Sequence, residues 1–281
     1  SKVVFVAEDD LWSVNIDNLK AYRLTTNISE VSSPLISPDG KLIAFIGTED
    51  GNNEVYVMPS NGGAATRLTY DGAFVKGICA WKNNDIIFST DLQQPFGRVS
   101  GLAKINKRGG QTHLLNYGIA SNIAFGGSGI VLGRNTADPA RWKRYKGGTA
   151  GELWISKDKN SKFKKLINLN GNMACPMWIN NRIYFISDHD GISNIYSCLA
   201  SGRSLKQHTN HKEYYARNAT TDGHKIIYHS GADIYTFDVK NDAYEKLEID
   251  YKSSFVNRNR KFVSPLNYLE DISVNKDGSM V

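Results

Sequence analysis

The chain has 281 residues and a formal net charge of +6, with 41% hydrophobic and 22% charged residues; this excludes a disordered chain and leaves ample length for a core. Three cysteines, Cys79, Cys175 and Cys198, are too few for a disulfide framework and lack Cys-x-x-Cys spacing, which excludes zinc ribbons and dithiol redox motifs. Their sparseness points to the cytoplasm, or to the periplasm if a signal peptide was removed, and no apolar run reaches the roughly 18 residues of a membrane helix.

From the N-terminus, strands are expected at residues 3–6, 10–14 and 22–25. The chain thus opens in what reads as the middle of a domain. A second unit follows, with 34–36 ahead of an Asp39-Gly40 turn, then 42–46, 54–57 and 66–69. The third unit reads 86–88, 102–105 and 112–115, and the fourth 130–132, 152–155 and 164–167. The fifth has 175–179 ahead of Asn180-Asn181, then 183–186, 194–197 and 206–209. The sixth has 218–221 ahead of Asp222-Gly223, then 226–228, 233–236 and 244–247. One more strand of the leading type is expected at 272–275, ahead of Asp277-Gly278.

The apolar runs are β-branched and aromatic and nearly continuous, as in strands covered on both faces. The last strand of each unit alternates, as a half-exposed outer strand does. Asp-Gly and Asn-Asn pairs tolerate the positive φ of tight hairpins. Matching positions of the third strand, 12, 56, 103, 154, 196 and 235, lie 39 to 51 residues apart. Four strands per period without helical periodicity predict an all-β, six-bladed propeller of four-stranded antiparallel blades. Its expected bounds are 1–250. Residues 251–281 read as a linker plus a strand that closes the ring beside the first blade or begins the next domain.

Ser37-Pro38-Asp39-Gly40-Lys41-Leu42-Ile43-Ala44-Phe45 resembles the Asp-Gly repeat of TolB-like propellers and of propeller-bearing peptidases. Longer stretches are similar to the tricorn peptidase family. They include Ser89-Thr90-Asp91-Leu92-Gln93-Gln94-Pro95-Phe96, Gly133-Arg134-Asn135-Thr136, and Trp142-Lys143-Arg144-Tyr145-Lys146-Gly147-Gly148-Thr149. Arg182-Ile183-Tyr184-Phe185-Ile186-Ser187-Asp188-His189-Asp190-Gly191 and His208-Thr209-Asn210-His211-Lys212-Glu213-Tyr214-Tyr215 continue the likeness.

The resemblance implies the first propeller of a serine peptidase whose hydrolytic machinery lies in later domains. This chain would then be non-catalytic, gating or orienting peptides or letting products leave. It also implies an Arg pair, on the connection after the second blade, that holds the substrate's C-terminal end. Here that connection, residues 70–77, offers only Lys76, a point charge without the bidentate fork of arginine. Expected partners are oligopeptides and the remaining domains of the same chain, with homo-oligomers of the full-length protein. The alternatives are a TolB-like protein–protein interaction propeller and a propeller lyase or hydrolase with a metal at the channel mouth.

The chemistry-bearing motifs are sparse. There is no Gly-x-Ser-x-Gly elbow, and Gly126-Gly127-Ser128-Gly129 reads as a turn. His208-x-x-His211 with Glu213 resembles a metal cluster, but the better reading is a solvent-facing turn. Asp188-x-Asp190-Gly191 hints at calcium, yet Glu49-Asp50-Gly51 recurs at the same point of the second unit, so a hairpin turn accounts for both. No nucleotide-binding fingerprint occurs. No catalytic residue, metal ligand or cofactor is therefore assigned, and neither nucleic acid nor membrane is an expected partner.

Two connections exceed the short-turn norm, 91–101 and 135–150, and long loops on a rigid scaffold usually carry function. Candidate contacts to peptide carboxylates are Lys76, Arg134, Arg141 and Arg144. Trp142, Tyr145 and Phe96 are candidates for packing against peptide or a neighbouring domain. Residues 134–146, 157–165 and 251–262 each carry +4, leaving the remainder of the chain at −6. The excess charge is local, unlike the broad basic surface of a nucleic-acid binder.

Overall fold

A computed structural model of the chain describes residues 2–26, 29–157, 162–255 and 264–279. The apolar runs become six antiparallel sheets, each strand paired to the next in sequence. Blade 1 is β1 (Lys2–Ala7), β2 (Asp10–Asn15) and β3 (Ala21–Arg23). Blade 2 is β4 (Val31–Ile36), β5 (Leu42–Gly47), β6 (Glu54–Pro59) and β7 (Thr66–Arg67). Blade 3 is β8 (Val75–Lys82), β9 (Asp85–Thr90), β10 (Gly101–Asn106) and β11 (His113–Leu115). Blade 4 is β12 (Asn122–Gly126), β13 (Gly129–Arg134), β14 (Glu152–Ser156) and β15 (Lys164–Lys165). Blade 5 is β16 (Met173–Ile179), β17 (Arg182–Ser187), β18 (Asn194–Leu199) and β19 (Lys206–Gln207). Blade 6 is β20 (Ala216–Thr221), β21 (Lys225–Ser230), β22 (Asp233–Asp238) and β23 (Ala243–Lys246).

The strands β4, β8, β12, β16 and β20 touch one another in succession and form the inner wall of the ring. The outer strands β15, β19 and β23 are exposed. Between these edges, pairs such as β5–β6 and β17–β18 are buried nearly end to end. Each sheet packs face to face on the next, so the central strands are covered on both faces. That is why their sequences are continuous apolar runs.

One apolar cluster fills each junction. Phe45 and Met58 join Leu11 between blades 1 and 2, and Phe88 joins Val57 between blades 2 and 3. Ile87 meets Leu132 between blades 3 and 4, and Leu153 meets Phe185 between blades 4 and 5. Ile186 meets Tyr228 between blades 5 and 6. The sixth cluster, Val3 and Val14 with Leu247, Ile227 and Ile234, joins blade 6 to blade 1 and completes the circle.

Residues 256–263 of the expected linker and closing or next-domain strand lie outside the described residues. Among the described residues, 264–279 hold a single 3₁₀ turn at Pro265–Asn267 and no strand, and Ile272 and Val274 are exposed. Blade 1 is a three-stranded sheet. The seam is made by that sixth cluster and a parallel bridge between Lys20 and Asp250. Tyr251 adds its ring, 4.7 Å from Trp12 edge-on. The chain divides into two units, Ser1–Tyr251 and Lys252–Val281. No helix among the described residues is long and apolar enough to cross a membrane.

The inner strands bulge. Ser33, Cys175 and Asn218 take positive φ at matching points of blades 2, 5 and 6, each inside a register shift. Side chains there stitch one inner strand to the next. Ser33 Oγ accepts the Ile78 N–H at 2.9 Å, and Cys79 Sγ donates to Ser121 O at 3.3 Å. Backbone groups of Asn218 and Ala219 hydrogen-bond to the Cys175 thiol, whose pKa burial pushes up to about 11.

Candidate functional site

In an up-and-down blade, the turn between the second and third strands shares a face with the links between blades. Short turns on this face are held by a recurring clasp. In blade 1, Asp10 is gripped by Arg23 and accepts from Thr25 Oγ1 at 2.7 Å, while Thr25 Oγ1 accepts the Leu11 N–H at 2.9 Å. Glu54, Arg67 and Thr69 repeat it in blade 2, and Asn194, Gln207 and Thr209 give a neutral version in blade 5. Thr25, Thr69 and Thr209 are buried, so each satisfies a backbone donor that water cannot reach.

Blades 3 and 4 depart from this pattern, and they are the blades with the long loops. In blade 3 the clasp positions are Gly101 and Leu114. Gln94 from the 91–100 loop sits so close to Gly101 that a Cβ there would lie 2.8 Å from its Nε2. A cleft of about 210 Å³ remains, lined by Gln94, Leu114, Leu115 and Ile119. In blade 4, Glu152 keeps Lys165 at 2.6 Å, but the threonine is replaced by Ile167. A second cleft of about 330 Å³ opens there, lined by Lys146, Gly147, Glu152, Lys165, Asn168 and Asn170. Burial raises the Glu152 pKa, yet hydrogen bonds from Lys165 and Trp154 hold it below the usual range.

The sequence-derived candidates fall into two groups on these neighbouring blades. Lys76 lies in β8, not in the connection expected for it. The reason is that β8 bulges twice, which breaks its alternation. Its ammonium donates to Gly97 O at 2.7 Å, Val99 O at 2.9 Å and Ser100 Oγ at 3.0 Å, so it holds the 91–100 loop in place. Burial depresses the Lys76 pKa, against the pull of Asp91. Phe96, at the tip of that loop, is 71% exposed.

The other group belongs to the strap formed by residues 135–150. Trp142 is 59% exposed and its ring lies 5.2 Å from that of Tyr145. Arg141, Lys143, Arg144 and Lys146 are exposed around them. Arg134 stands apart at the end of β13, where its guanidinium stacks 4.3 Å over Trp154 and its buried Nε lacks a hydrogen-bond partner.

Four residues outside the candidate contact set hold the strap. Asp188 is 1% exposed and accepts the Arg144 N–H and the Asn172 N–H, each at 2.7 Å. Asn172 Nδ2 donates to Trp142 O at 3.1 Å. Nearer the start of the strap, Asp138 pairs with Arg217 of β20, on the inner wall of blade 6. The strap therefore leaves blade 4, touches the rim of blade 6 at Asp138, is pinned on blade 5 at Trp142 and Arg144, and returns to blade 4 at β14. Only the Asp188-x-Asp190-Gly191 repetition hinted at any of this. The Asp188–Gly191 turn closes as a hairpin, with the Gly191 N–H on Asp188 O at 3.0 Å.

The two histidines expected on a solvent-facing turn are instead packed at the junction of blades 5 and 6. The His211 ring lies 4.9 Å from Tyr235, and its Nε2 is 2.9 Å from the Tyr228 hydroxyl. The His208 side chain is 2% exposed; Nδ1 lies 2.5 Å from Asp242 and Nε2 lies 2.6 Å from Ser197 Oγ. This is the connectivity of an acid–base–nucleophile triad. The Ser197 hydroxyl, however, is fully buried, out of reach of a substrate, and also accepts from Arg182 Nε at 2.7 Å. The cluster ties blade 5 to blade 6. Among the described residues, no three His, Cys, Asp or Glu side chains converge as metal ligands.

Residues 1–243 match the family model described as the tricorn protease N-terminal beta propeller domain. The tricorn protease homolog of Saccharolobus solfataricus is 37% identical over 97% of this chain and 26% of its own length. This chain thus spans about a quarter of that relative. In Sulfurisphaera tokodaii the similarity is divided between two proteins. A putative tricorn-like protease N-terminal subunit is 36% identical over 57% of this chain and 83% of its own length. A putative C-terminal subunit is 41% identical over 40% of this chain and 13% of its own length. The crystal structure of the tricorn protease superposes with a TM-score of 0.81 at 32% identity, covering 90% of this chain and 26% of that one.

Proposed function

The chain belongs to the tricorn protease family, and from that premise we propose that it is a non-catalytic, peptide-handling propeller serving a serine peptidase carried elsewhere. Its work is to orient peptides or pass products at the mouth of the ring, on the face that bears the 91–100 loop and the strap. The observation that carries this reading is the asymmetry between the two faces. Phe74, Phe96, Ile119, Trp142 and Tyr214 are all exposed on the face of the loops and interblade links. The opposite face is built of Asp-Gly, Asn-Asn and Gly-Gly-Ser turns.

Exposed aromatics beside exposed cations suit peptide side chains and carboxylates. Arg141 and Arg144 are the proposed carboxylate contacts, with Trp142 and Tyr145 as the packing surface. Lys76 acts by positioning the blade-3 loop, and Phe96 at its tip meets peptide or a neighbouring domain. Arg134 is backed by Trp154 below the strap. Other domains or a separate C-terminal subunit of the peptidase are the proposed partners, and the cytoplasm is the proposed compartment, in keeping with three free thiols.

The test uses the purified chain and fluorogenic peptides. No turnover is expected, while peptides with a free C-terminal carboxylate bind and lose affinity about tenfold in an Arg141→Ala/Arg144→Ala double variant. Turnover that a serine-directed inhibitor abolishes would overturn the reading.

A further inference from the structure

The strap is anchored twice, and the two anchors differ in kind. Asp188 is buried and accepts backbone N–H groups from two segments, so it is a fixed contact. The second anchor is a pair of side chains, Asp138 at 25% and Arg217 at 39% exposure. It sits at the rim, on the innermost strand of blade 6, where water and solutes reach it.

The geometry of that pair is incomplete. Arg217 directs both Nε and Nη2 at one oxygen, Asp138 Oδ2. The other oxygen, Oδ1, accepts the Ala140 N–H at 3.0 Å, which closes the turn that carries Arg141. Asp138 therefore cannot offer the two-oxygen fork that matches a guanidinium edge. A free carboxylate can. The surroundings do not oppose one. His229, which faces Arg217 across β20 and β21, has its pKa lowered by burial, and its Nε2 lies 3.2 Å from Asn218 Nδ2.

We propose that Arg217 is a carboxylate-binding site at the channel rim, that Asp138 fills it from within the chain, and that a peptide's C-terminal carboxylate displaces Asp138 and so releases the strap. Asp138 is an intramolecular competitor: its tether gives it a high effective concentration, while the ligand has the better fork. Opening is then coupled to arrival of the group to be held: residues 135–143 are freed to move between β13 on one side and the fixed Asp188 contact on the other. The inference rests on the peptide-handling reading above and adds to it a specific seat and a switch.

Two variants and two readouts test it. Asp138→Asn keeps an acceptor for the Ala140 N–H and removes the competing charge; Arg217→Met removes the seat. Trypsin cleavage after Arg141, Lys143 and Arg144, followed by mass spectrometry, reads the strap itself. Both variants are expected to be cut there at least tenfold faster than the parent, with thermal midpoints close to it. Calorimetric titration with N-acetyl-trialanine and with its C-terminal amide reads the seat. Asp138→Asn is expected to bind the acid at least tenfold more tightly than the parent does. Arg217→Met should lose that binding, and the amide should bind none of the three.

Unchanged strap cleavage in both variants would overturn the latch. Equal acid binding by parent, Asp138→Asn and Arg217→Met would overturn Arg217 as the seat while leaving peptide handling standing. Absence of acid binding in all three would overturn both.

Discussion

At the residue scale, the buried polar groups decide more than their number suggests. Thr209 Oγ1 accepts the Ile195 N–H at 2.9 Å and donates to Asn194 Oδ1 at 2.9 Å. Thr209→Val keeps the shape but strands the Ile195 N–H, while Asn194 Oδ1 keeps the His211 N–H at 2.7 Å, with an expected cost of about 1–3 kcal/mol in denaturant unfolding. The histidines give a second prediction. Burial lowers the pKa values of His208, His211 and His229, with Asp242 pulling His208 the other way. The unfolded chain takes up these protons first, near pH 6.5, so stability is full above that pH and falls as pH drops below it toward the folded values. Unfolding midpoints measured from pH 8 to 5 should decline through that window, and the decline should be shallower in His208→Gln. A flat profile would contradict the assignment. The carboxylates held low, Asp242 among them, add their loss only at lower pH. The cysteines offer no such switch near neutrality, because burial pushes the thiol of Cys79 up to about 12 and that of Cys198 up to about 11.

At the element scale, what the sequence disclosed follows burial. The second and third strands of each blade were readable because two-sided cover demands continuous apolar runs, as in Ile43-Ala44-Phe45-Ile46. The inner strand β8 was not, since its bulges interrupt the alternation and place Lys76 and Cys79 where apolar residues would be expected. The clasp was missed for another reason. Arg23 and Arg67 repeat visibly, but their acids lie 13 residues upstream, and nothing local marks Asp10 or Glu54 as buried. Both long loops were evident from length, whereas their anchors were not, because Asp188 lies 44 residues and Arg217 lies 79 residues from its partner in the strap. Lys76→Met should free the 91–100 loop, seen as several-fold faster tryptic cleavage after Arg98 with little change after Arg23. If Arg98 stays protected, the loop is held by something other than the lysine.

At the scale of the whole molecule, the ring joins its last blade to its first through an apolar seam of its own. The seam between blades 6 and 1 consists of residues up to Tyr251, with Val3, Val14 and Leu247 at its centre. A chain ending at Tyr251 should therefore unfold at the same temperature as the 281-residue chain, within about 2 °C. Val14→Ala, which opens a cavity at the seam, should cost about 2–3 kcal/mol. The charge follows the same geography. An acidic body carries local basic segments, and the one at 134–146 covers most of the strap. The two faces of the ring thus differ in loop length and in aromatic exposure. The central claim is that peptides are handled on the face of the two loops. Hydrogen exchange with and without a saturating acidic-ended peptide tests it most directly. The account predicts slowed exchange in residues 91–100 and 135–150 and none in the turns at 37–41, 83–84 and 180–181. Protection confined to those turns would contradict it.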